Sequence, residues 1–184
     1  EPPALLHGEP AVRTTLQTSF EEGLWQSEPS DCSKGLPGAA DGFAISLVKD
    51  ATEGSSALEL RSRNHAACTT KVFPVKLRAG TVYRYAFDYS VLQGRDPQPV
   101  YYQLHDHAGN RIPATGELTG TPGSGWQSFE AYLLPRTDVT SLEITLYAHA
   151  SGTDEKVVRY DNLRVEEFMP GDVGEDEIVA SAAI

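Results

Sequence analysis

Residues 81–106 read Thr-Val-Tyr-Arg-Tyr-Ala-Phe-Asp-Tyr-Ser-Val-Leu-Gln-Gly-Arg-Asp-Pro-Gln-Pro-Val-Tyr-Tyr-Gln-Leu-His-Asp, and this stretch decides the fold. Aromatic residues stand at the alternate positions 83, 85, 87 and 89, so a β-strand would present all four on one face. Residues 94–99 contain a glycine and two prolines and predict a loop, because proline cannot donate to a β-ladder. Val100, Tyr102 and Leu104 then alternate in the same way. The stretch therefore predicts two strands, each with an apolar face that another sheet must cover.

The reverse faces of these two predicted strands carry polar groups of several kinds. If both strands share one sheet with the alternating run 142–149, a single face collects aromatic, amide, carboxylate, imidazole and guanidinium side chains. An aromatic ring can cover the apolar face of a sugar while polar groups reach its hydroxyls, and ligand sites combine these two features. The alternative is an ordinary solvated sheet surface, because strands favour aromatic residues. The predicted ligand-binding residues are Arg84, Asp88, Tyr101, Gln103, His105, Tyr147 and His149.

The rest of the chain predicts an all-β fold. About nine short alternating runs are separated by Gly, Pro and Asp turns, and no stretch has a helical period. Residues 115–125 contain four glycines and a proline and predict a long loop, and residues 156–168 predict a last strand pair or one long bent strand. Regular strand spacing without helices is typical of a sandwich or barrel. The predicted core comprises Phe20, Phe43, Ile45, Leu58, Leu60, Phe73, Tyr85, Phe87, Leu104, Phe129, Leu133, Ile144 and Leu146.

Length and charge limit the possible functions. The 184 residues predict one domain, residues 12–168, with an N-terminal linker over residues 1–11 and an acidic, then apolar, tail over residues 169–184. The formal net charge of -11 argues against nucleic acid or an anionic lipid surface as a partner. No window approaches the roughly 20 apolar residues that a membrane helix requires, so we expect no membrane insertion by this segment.

The chain's start and its two cysteines suggest a location outside the cytoplasm. Residues 1–3 lack the basic and apolar regions of a signal peptide, and the chain does not begin with Met, so we expect a mature secreted chain or a domain of a larger protein. Cys32 and Cys68 are the only cysteines, and we expect a disulfide between them, with two free buried thiols as the alternative. Both expectations indicate an extracellular or extracytoplasmic domain.

Five short motifs in a fixed order resemble those of jelly-roll carbohydrate-binding modules of the galactose-binding-like β-sandwich superfamily. The resemblance covers residues 19–168 and implies a jelly-roll β-sandwich of two antiparallel sheets. It also implies non-catalytic recognition of an extracellular or cell-wall polysaccharide by a module of a larger glycan-active protein. The motifs are Ser-Phe-Glu-Glu-Gly at 19–23 with Trp25, Gly-Ser-Ser-Ala-Leu-Glu-Leu at 54–60, Leu-Arg-Ala-Gly-Thr-Val-Tyr at 77–83, Trp-Gln-Ser-Phe at 126–129 and Tyr-Asp-Asn-Leu-Arg-Val at 160–165.

The same resemblance implies a structural calcium ion between the first and last strands. The implied ligands are the carboxylate of Glu21 or Glu22, the carboxylate of Asp161, and backbone carbonyls near residues 54–56, including Ser56. Calcium takes six to eight oxygen ligands, and carboxylates from both ends of the chain would neutralise its charge.

Three other functional interpretations stay open at this point. The sandwich could be a structural or interaction module of a secreted or surface protein without sugar affinity. A sugar could bind at the loop edge, beside Trp25 or Trp126. A hydrolase would need a carboxylate pair, and a zinc site would need His105 and His107 with His149, but no supporting motif accompanies either set. For a Ser-His-Asp triad the chain likewise offers no Gly-x-Ser-x-Gly elbow.

Overall fold

The computed structural model describes residues 13–25, 30–31, 43–63, 66–94, 98–118, 121–150 and 155–167. These residues form eleven strands and one turn of 3-10 helix, Phe20–Glu22. None of their helices is long and apolar enough to cross a membrane. The strands are β1 (Arg13–Thr18), β2 (Ser30–Asp31), β3 (Phe43–Val48), β4 (Ala57–Arg63), β5 (Ala66–Leu77), β6 (Tyr83–Gln93), β7 (Gln98–Asp106), β8 (Arg111–Leu118), β9 (Gln127–Leu133), β10 (Val139–His149) and β11 (Glu155–Glu167).

The strands form two antiparallel sheets packed as a sandwich, and the predicted all-β sandwich is confirmed. The six-stranded sheet has the order β3-β4-β11-β6-β9, with β1 paired to β11. The five-stranded sheet has the order β2-β5-β10-β7-β8. Strands that are neighbours in the sheets are often far apart in the chain, so the fold is specified by long-range pairing rather than by consecutive hairpins.

The predicted apolar faces pack against each other across the core. Tyr83, Tyr85, Phe87 and Tyr89 of β6 are all buried, as are Val100, Tyr102 and Leu104 of β7. Tyr85 and Tyr102 meet across the two sheets, with 4.8 Å between ring centroids. Of the predicted core, Phe43, Ile45 and Phe129 are partly buried against the main cluster and the other ten are buried.

The assignment of β6 and β7 to one sheet is wrong. β6 lies in the six-stranded sheet between β11 and β9, whereas β7 lies in the five-stranded sheet between β10 and β8. Burying both apolar faces required the two strands to face each other across the sandwich. Their reverse faces consequently point to opposite sides of the molecule.

One further boundary differs from the predictions. Residues 115–118 belong to β8 rather than to a loop, because β8 pairs with β7 along its whole length despite the proline and glycine at Pro113 and Gly116. Of the two alternatives predicted for the end of the domain, the structure has one long strand, β11, whose register shifts between Asp161 and Arg164, where Asn162 has a φ of 51°. The predicted linker over residues 1–11 and tail over residues 169–184 lie outside the described residues, so these boundaries stay predictions.

Cys68 is buried on β5, 1% exposed. It lies opposite Ser30 of β2, and β2 ends one residue before Cys32. Cys32 itself lies outside the described residues, so the disulfide stays a prediction.

The stacking of aromatic rings from β6 and β9 in the core can be tested by truncating one of them. Phe87 is 1% exposed and stacks on Phe129 at 4.9 Å between centroids. We expect Phe87→Ala to lower the free energy of unfolding by about 3–5 kcal/mol, because it removes buried apolar area and leaves a cavity. Urea denaturation measures this, with Leu47→Ala as the control, since Leu47 is 41% exposed. A Phe87→Ala effect no larger than the control's would contradict the described core.

Candidate functional site

One outer surface of the sandwich brings together most of the predicted ligand-binding residues. On β7 and β10, the strand alternation that buries Tyr102, Leu104, Leu142 and Ile144 turns the intervening side chains outward. Register places Tyr101 opposite Thr145, Gln103 opposite Glu143, and His105 opposite Ser141. We call this surface the polar face, and it comprises Tyr101, Gln103, His105, Glu143, Thr145, Tyr147 and His149.

Two half-buried tyrosines stand side by side at one end of the polar face. Tyr101 lies opposite Thr145, and Tyr147 is two residues further along β10, which is the diagonal position on the same face. Burial and the neighbouring Tyr101 raise the pKa of Tyr147 above its ordinary value. The two rings present both an apolar surface and a hydroxyl.

The middle of the polar face contains polar atoms without hydrogen-bond partners. The Nε2 of Gln103 donates to the Tyr101 hydroxyl. The Oε1 of Gln103 and the Nε2 of His105 are buried and have no hydrogen-bond partner among the described residues, and Glu143 Oε2 lies 3.6 Å from that imidazole nitrogen. An unsatisfied polar atom is costly, so such atoms often mark a place where a ligand or water completes the network.

Side chains behind and beside the polar face fix its geometry. Gln98, only 1% exposed, accepts from the His149 amide at 2.7 Å and donates to the His149 carbonyl at 3.0 Å, replacing ladder bonds at the end of β10. The Thr70 and Thr145 hydroxyls are 3.0 Å apart across β5 and β10. Beneath the sheet, the Tyr160 hydroxyl donates to the Tyr147 carbonyl. These bonds fix the position of β10, and therefore of Tyr147, relative to β7 on one side and β5 on the other.

Arg84 and Asp88 lie on the other side of the molecule, so their predicted membership of the same face is wrong. They project from β6 on the outer face of the six-stranded sheet. Arg84 pairs with Glu166 of β11 at 2.9 Å and with Glu130 of β9 at 3.7 Å. Asp88 accepts from the Ser128 hydroxyl at 2.9 Å and from the Thr52 hydroxyl at 2.7 Å. Both side chains are therefore engaged by their own chain.

Glu143, Thr145 and Thr70 belong to the polar face and its flank but were not among the predicted binding residues. The alternation of residues 142–149 already turns Glu143 and Thr145 outward, and that signal could have identified them. Arg111 and Thr115 of β8 lie opposite His105 and Tyr101 and extend the surface. They were missed because β8 was not recognised as a full strand.

The residues predicted to bind calcium form a different arrangement. The Glu21 carboxylate accepts from the Ser55 amide at 2.7 Å, the Ser56 amide at 2.6 Å and the Ser55 hydroxyl at 2.9 Å. The fully buried Asp161 accepts from the Thr52 and Glu53 amides at 2.7 and 2.9 Å. The 52–56 turn thus points N–H groups, not carbonyl oxygens, at both carboxylates, and we call this arrangement the amide latch.

The amide latch does not fit the implied calcium site. Calcium requires oxygen ligands, and amide donors occupy the carboxylate oxygens that would supply them. Glu22 is exposed beside Glu21 on the 3-10 helix. Within the described ranges, no group of three or more His, Cys, Asp and Glu side chains is placed to hold a metal ion. Calcium binding therefore stays a prediction from the resemblance.

The amide latch also explains Gly54. Gly54 has a φ of +67°, and a Cβ built on it would lie 2.6 Å from the Oε1 of Glu21. Only glycine lets the turn approach the carboxylate this closely without strain.

The tryptophans have structural contacts. Trp25 packs between Phe20 and Phe73, with ring centroids 5.3 and 5.4 Å away. Trp126 is half-buried, and its indole N–H donates to Asp50 at 3.3 Å. Trp25 is therefore part of the core rim, whereas Trp126 retains some exposed ring at the edge of the sandwich.

The zinc interpretation is not supported by the positions of its residues. His105 lies opposite Ser141, and His149 is eight residues further along β10, which is about 26 Å at strand spacing. His107 lies beyond the end of β7 in an exposed turn. A carboxylate pair for hydrolysis is likewise not formed by Glu143 with Asp88 or Glu130, since Glu143 lies on the five-stranded sheet while the other two lie on the six-stranded one.

The fold is similar to those of solved carbohydrate-binding modules. TmCBM61, solved with β-1,4-galactotriose, has a TM-score of 0.53 and 21% identity, covering 84% of this chain and 99% of that module. The CBM22-1 xylan-binding domain of Xyn10C from Paenibacillus barcinonensis has a TM-score of 0.50 and 13% identity, covering 89% of this chain and 100% of that domain. These likenesses confirm the resemblance at the level of the fold.

A larger enzyme contains a domain of the same fold. An exo-β-agarase matches with a TM-score of 0.54 and 15% identity over 90% of this chain, which corresponds to 26% of the agarase. By sequence, no protein-family model and no curated protein matches the chain.

The amide latch predicts a pH dependence of stability. Hydrogen bonds from the Ser55 amide and hydroxyl and the Ser56 amide lower the pKa of Glu21. Its contribution is therefore fully present above the ordinary glutamate pKa and is lost as the pH falls through the lowered one. We expect Glu21→Gln to lower the melting temperature at pH 6, and the difference from the native chain to shrink as the pH falls toward 3. A difference that did not change with pH would contradict a role for the Glu21 charge.

A chelation experiment decides whether backbone amides or a calcium ion neutralise the Glu21 and Asp161 carboxylates. Calcium bound to the native state would raise the melting temperature by mass action. Because amides already fill the Glu21 and Asp161 carboxylates, we expect the same melting temperature in millimolar EDTA and in millimolar calcium. A fall in EDTA that calcium reverses, and that Glu21→Gln abolishes, would instead establish the calcium site.

Proposed function

We propose that this chain is a non-catalytic carbohydrate-binding module whose polar face binds a neutral polysaccharide outside the cell. The observation that carries the proposal is the juxtaposition on β7 and β10 of two tyrosine rings with unpartnered acceptors. Tyr101 and Tyr147 offer the flat surface, while Gln103 Oε1 and His105 Nε2 lack hydrogen bonds. The two modules of the same fold, one xylan-binding and one solved with a galactotriose, support this class of ligand.

The chemistry of the polar face suits a polyhydroxylated, uncharged chain. A tyrosine ring packs against the C–H surface of a pyranose, and the ring's burial in the strand lowers the entropy lost on binding. Gln103 Oε1 and the Glu143 carboxylate accept hydrogen bonds, which sugar hydroxyls donate, and the His105 imidazole offers a further hydrogen-bonding nitrogen. An acidic sugar at this position would place its carboxylate near Glu143, which is unfavourable.

The charged surface on the opposite side suits a structural role. There Arg159 pairs with Glu59 at 2.9 Å and with Asp50 at 2.7 Å, and Arg164 lies 3.3 Å from Glu166 and 3.6 Å from Asp88. Charges that neutralise each other in this way have little left to offer a ligand. This difference between the two outer surfaces is the reason for assigning binding to the five-stranded sheet.

A module of this kind acts as part of a larger, extracytoplasmic, glycan-active protein. The agarase supports this part of the proposal, since a domain of the same fold makes up about a quarter of its chain. The module would increase the residence of the parent protein on its polysaccharide. The rival function is a structural or interaction module without sugar affinity.

The polar face can be tested with two ring deletions. We expect the native chain to bind at least one neutral polysaccharide on an array that includes xylan and β-1,4-galactan. Tyr101→Ala with Tyr147→Ala should weaken that binding at least about tenfold, which corresponds to 1.4 kcal/mol. Isothermal titration calorimetry measures the change, and circular dichroism confirms that the variant is folded.

Trp126→Ala is the matched comparison, because it removes a half-buried ring at the sandwich edge. We expect it to leave the affinity within twofold of the native chain. A loss in Trp126→Ala with none in the tyrosine variant would move the site to the edge. Absence of binding to every glycan would favour the structural module.

A further inference from the structure

The described cations fall into two groups, those that pair with a carboxylate and those that do not. Half of the second group lines a single groove. Six arginines form salt bridges with carboxylates: Arg61, Arg63, Arg78, Arg84, Arg159 and Arg164. The buried Lys156 donates to the Gly94 carbonyl at 3.2 Å. Within the described part of the chain, the cations without an ion pair to a carboxylate are Arg13, Lys49, Lys71, Lys76, Arg111 and Arg136. Half of these line the space between β1 and β5.

This space is a groove along the side of the sandwich, away from the polar face. One cleft of about 410 Å³ is lined by Arg13, Thr14, Thr15, Pro74, Lys76 and Thr140. A second cleft of about 390 Å³ shares Pro74 and continues past Leu16 to Lys71. Lys71 and Lys76 are five residues apart on β5, an odd spacing that turns their side chains to opposite faces of the strand. We call the two adjoining clefts together the edge groove.

Among the residues that the structure describes, the half of the edge groove that contains Arg13 and Lys76 has no carboxylate in its lining. Glu167 lies opposite Arg13 across β1 and β11, but its carboxylate binds Arg78. At the Lys71 end, Glu21 is held by Ser55 and Ser56, which leaves Glu22 as the exposed acid there. Threonine side chains and the exposed Pro74 and Val72 complete the surface.

The overall charge of the chain does not prevent an anion from binding at this groove. The formal net charge is -11, but at physiological ionic strength charges more than about 8 Å away are largely screened. The cations nearest to a ligand therefore dominate.

We infer that the edge groove is a second binding site, which takes an extended polysaccharide segment that carries carboxylate or sulfate groups. Arg13 and Lys76 would pair with the anionic substituents, while Thr14, Thr140 and the Pro74 surface contact the sugar rings. This site is separate from the polar face and does not depend on it. A polymer with both neutral and acidic sugars could then engage two surfaces of one module.

The test compares two variants with identical charge changes. Arg13→Gln with Lys76→Gln removes two cations from the groove, whereas Arg63→Gln with Arg136→Gln removes two exposed cations elsewhere. The probes are polygalacturonate for carboxylates, dextran sulfate for sulfates and dextran as the neutral polymer, with affinity measured by biolayer interferometry at 50 and 200 mM NaCl. The neutral glycan found for the polar face is included, so that failure of one site is distinguished from failure of the other.

We expect the native chain to bind at least one of the two anionic polymers and not dextran. Binding should weaken roughly tenfold between the two salt concentrations, as expected for release of about two counterions. The groove variant should bind at least about fivefold more weakly, Lys71→Gln should add a further loss, and the control variant should stay within twofold. Binding of the neutral glycan at the polar face should not change in either variant.

Three results would overturn this inference. Equal losses of polymer affinity in the groove and control variants would mean that binding depends on the net charge of the chain and not on the groove. No binding of either anionic polymer would remove the site. Stronger polymer binding after Glu175→Gln, Asp176→Asn and Glu177→Gln would identify that acidic segment of the chain itself as the occupant of the groove.

Discussion

The contact between Tyr85 of β6 and Tyr102 of β7, with ring centroids 4.8 Å apart, determines which way every other surface of the molecule faces. Aromatic side chains dominate a core because each buries a large apolar area. Once these two strands meet through their aromatic faces, they must belong to different sheets. Their polar faces are then separated by the full thickness of the sandwich, and the molecule has two distinct outer surfaces.

The two outer surfaces differ in how their polar groups are satisfied. On the six-stranded sheet, arginines and carboxylates of β4, β6, β9 and β11 pair with one another, and Asp88 and Asp161 receive hydrogen bonds from the 52–56 turn. On the five-stranded sheet, two tyrosines lie next to acceptors that have no partner. Surface ion pairs contribute little to stability individually, so the first surface matters for specificity of packing. The second surface is therefore the one to which we assign ligand binding.

The amide latch connects the two ends of the domain. Glu21 follows the first strand and Asp161 lies within the last one, and both hold the same turn between β3 and β4. The carboxylates come close to this turn without repulsion because backbone N–H groups carry partial positive charge. These amides surround two acids at the junction of the terminal strands, which is where the resemblance implies a cation.

The sequence by itself determined the class of fold, because alternation of apolar side chains depends only on the local geometry of a strand. It identified the buried faces of β6, β7, β9 and β10, and it placed Tyr101, Gln103, His105 and Tyr147 on outward faces.

Which strands become neighbours was decided only by the tertiary structure. Period-two alternation is the same for every strand, so it could not distinguish Arg84 on one sheet from Tyr101 on the other. Nor could it reveal that amides surround Glu21, since the direction of a turn's N–H groups is set by backbone angles such as the positive φ of Gly54. The edge groove likewise exists only because β1 and β5, whose nearest ends Thr18 and Ala66 are 48 positions apart in the chain, border the same side of the sandwich.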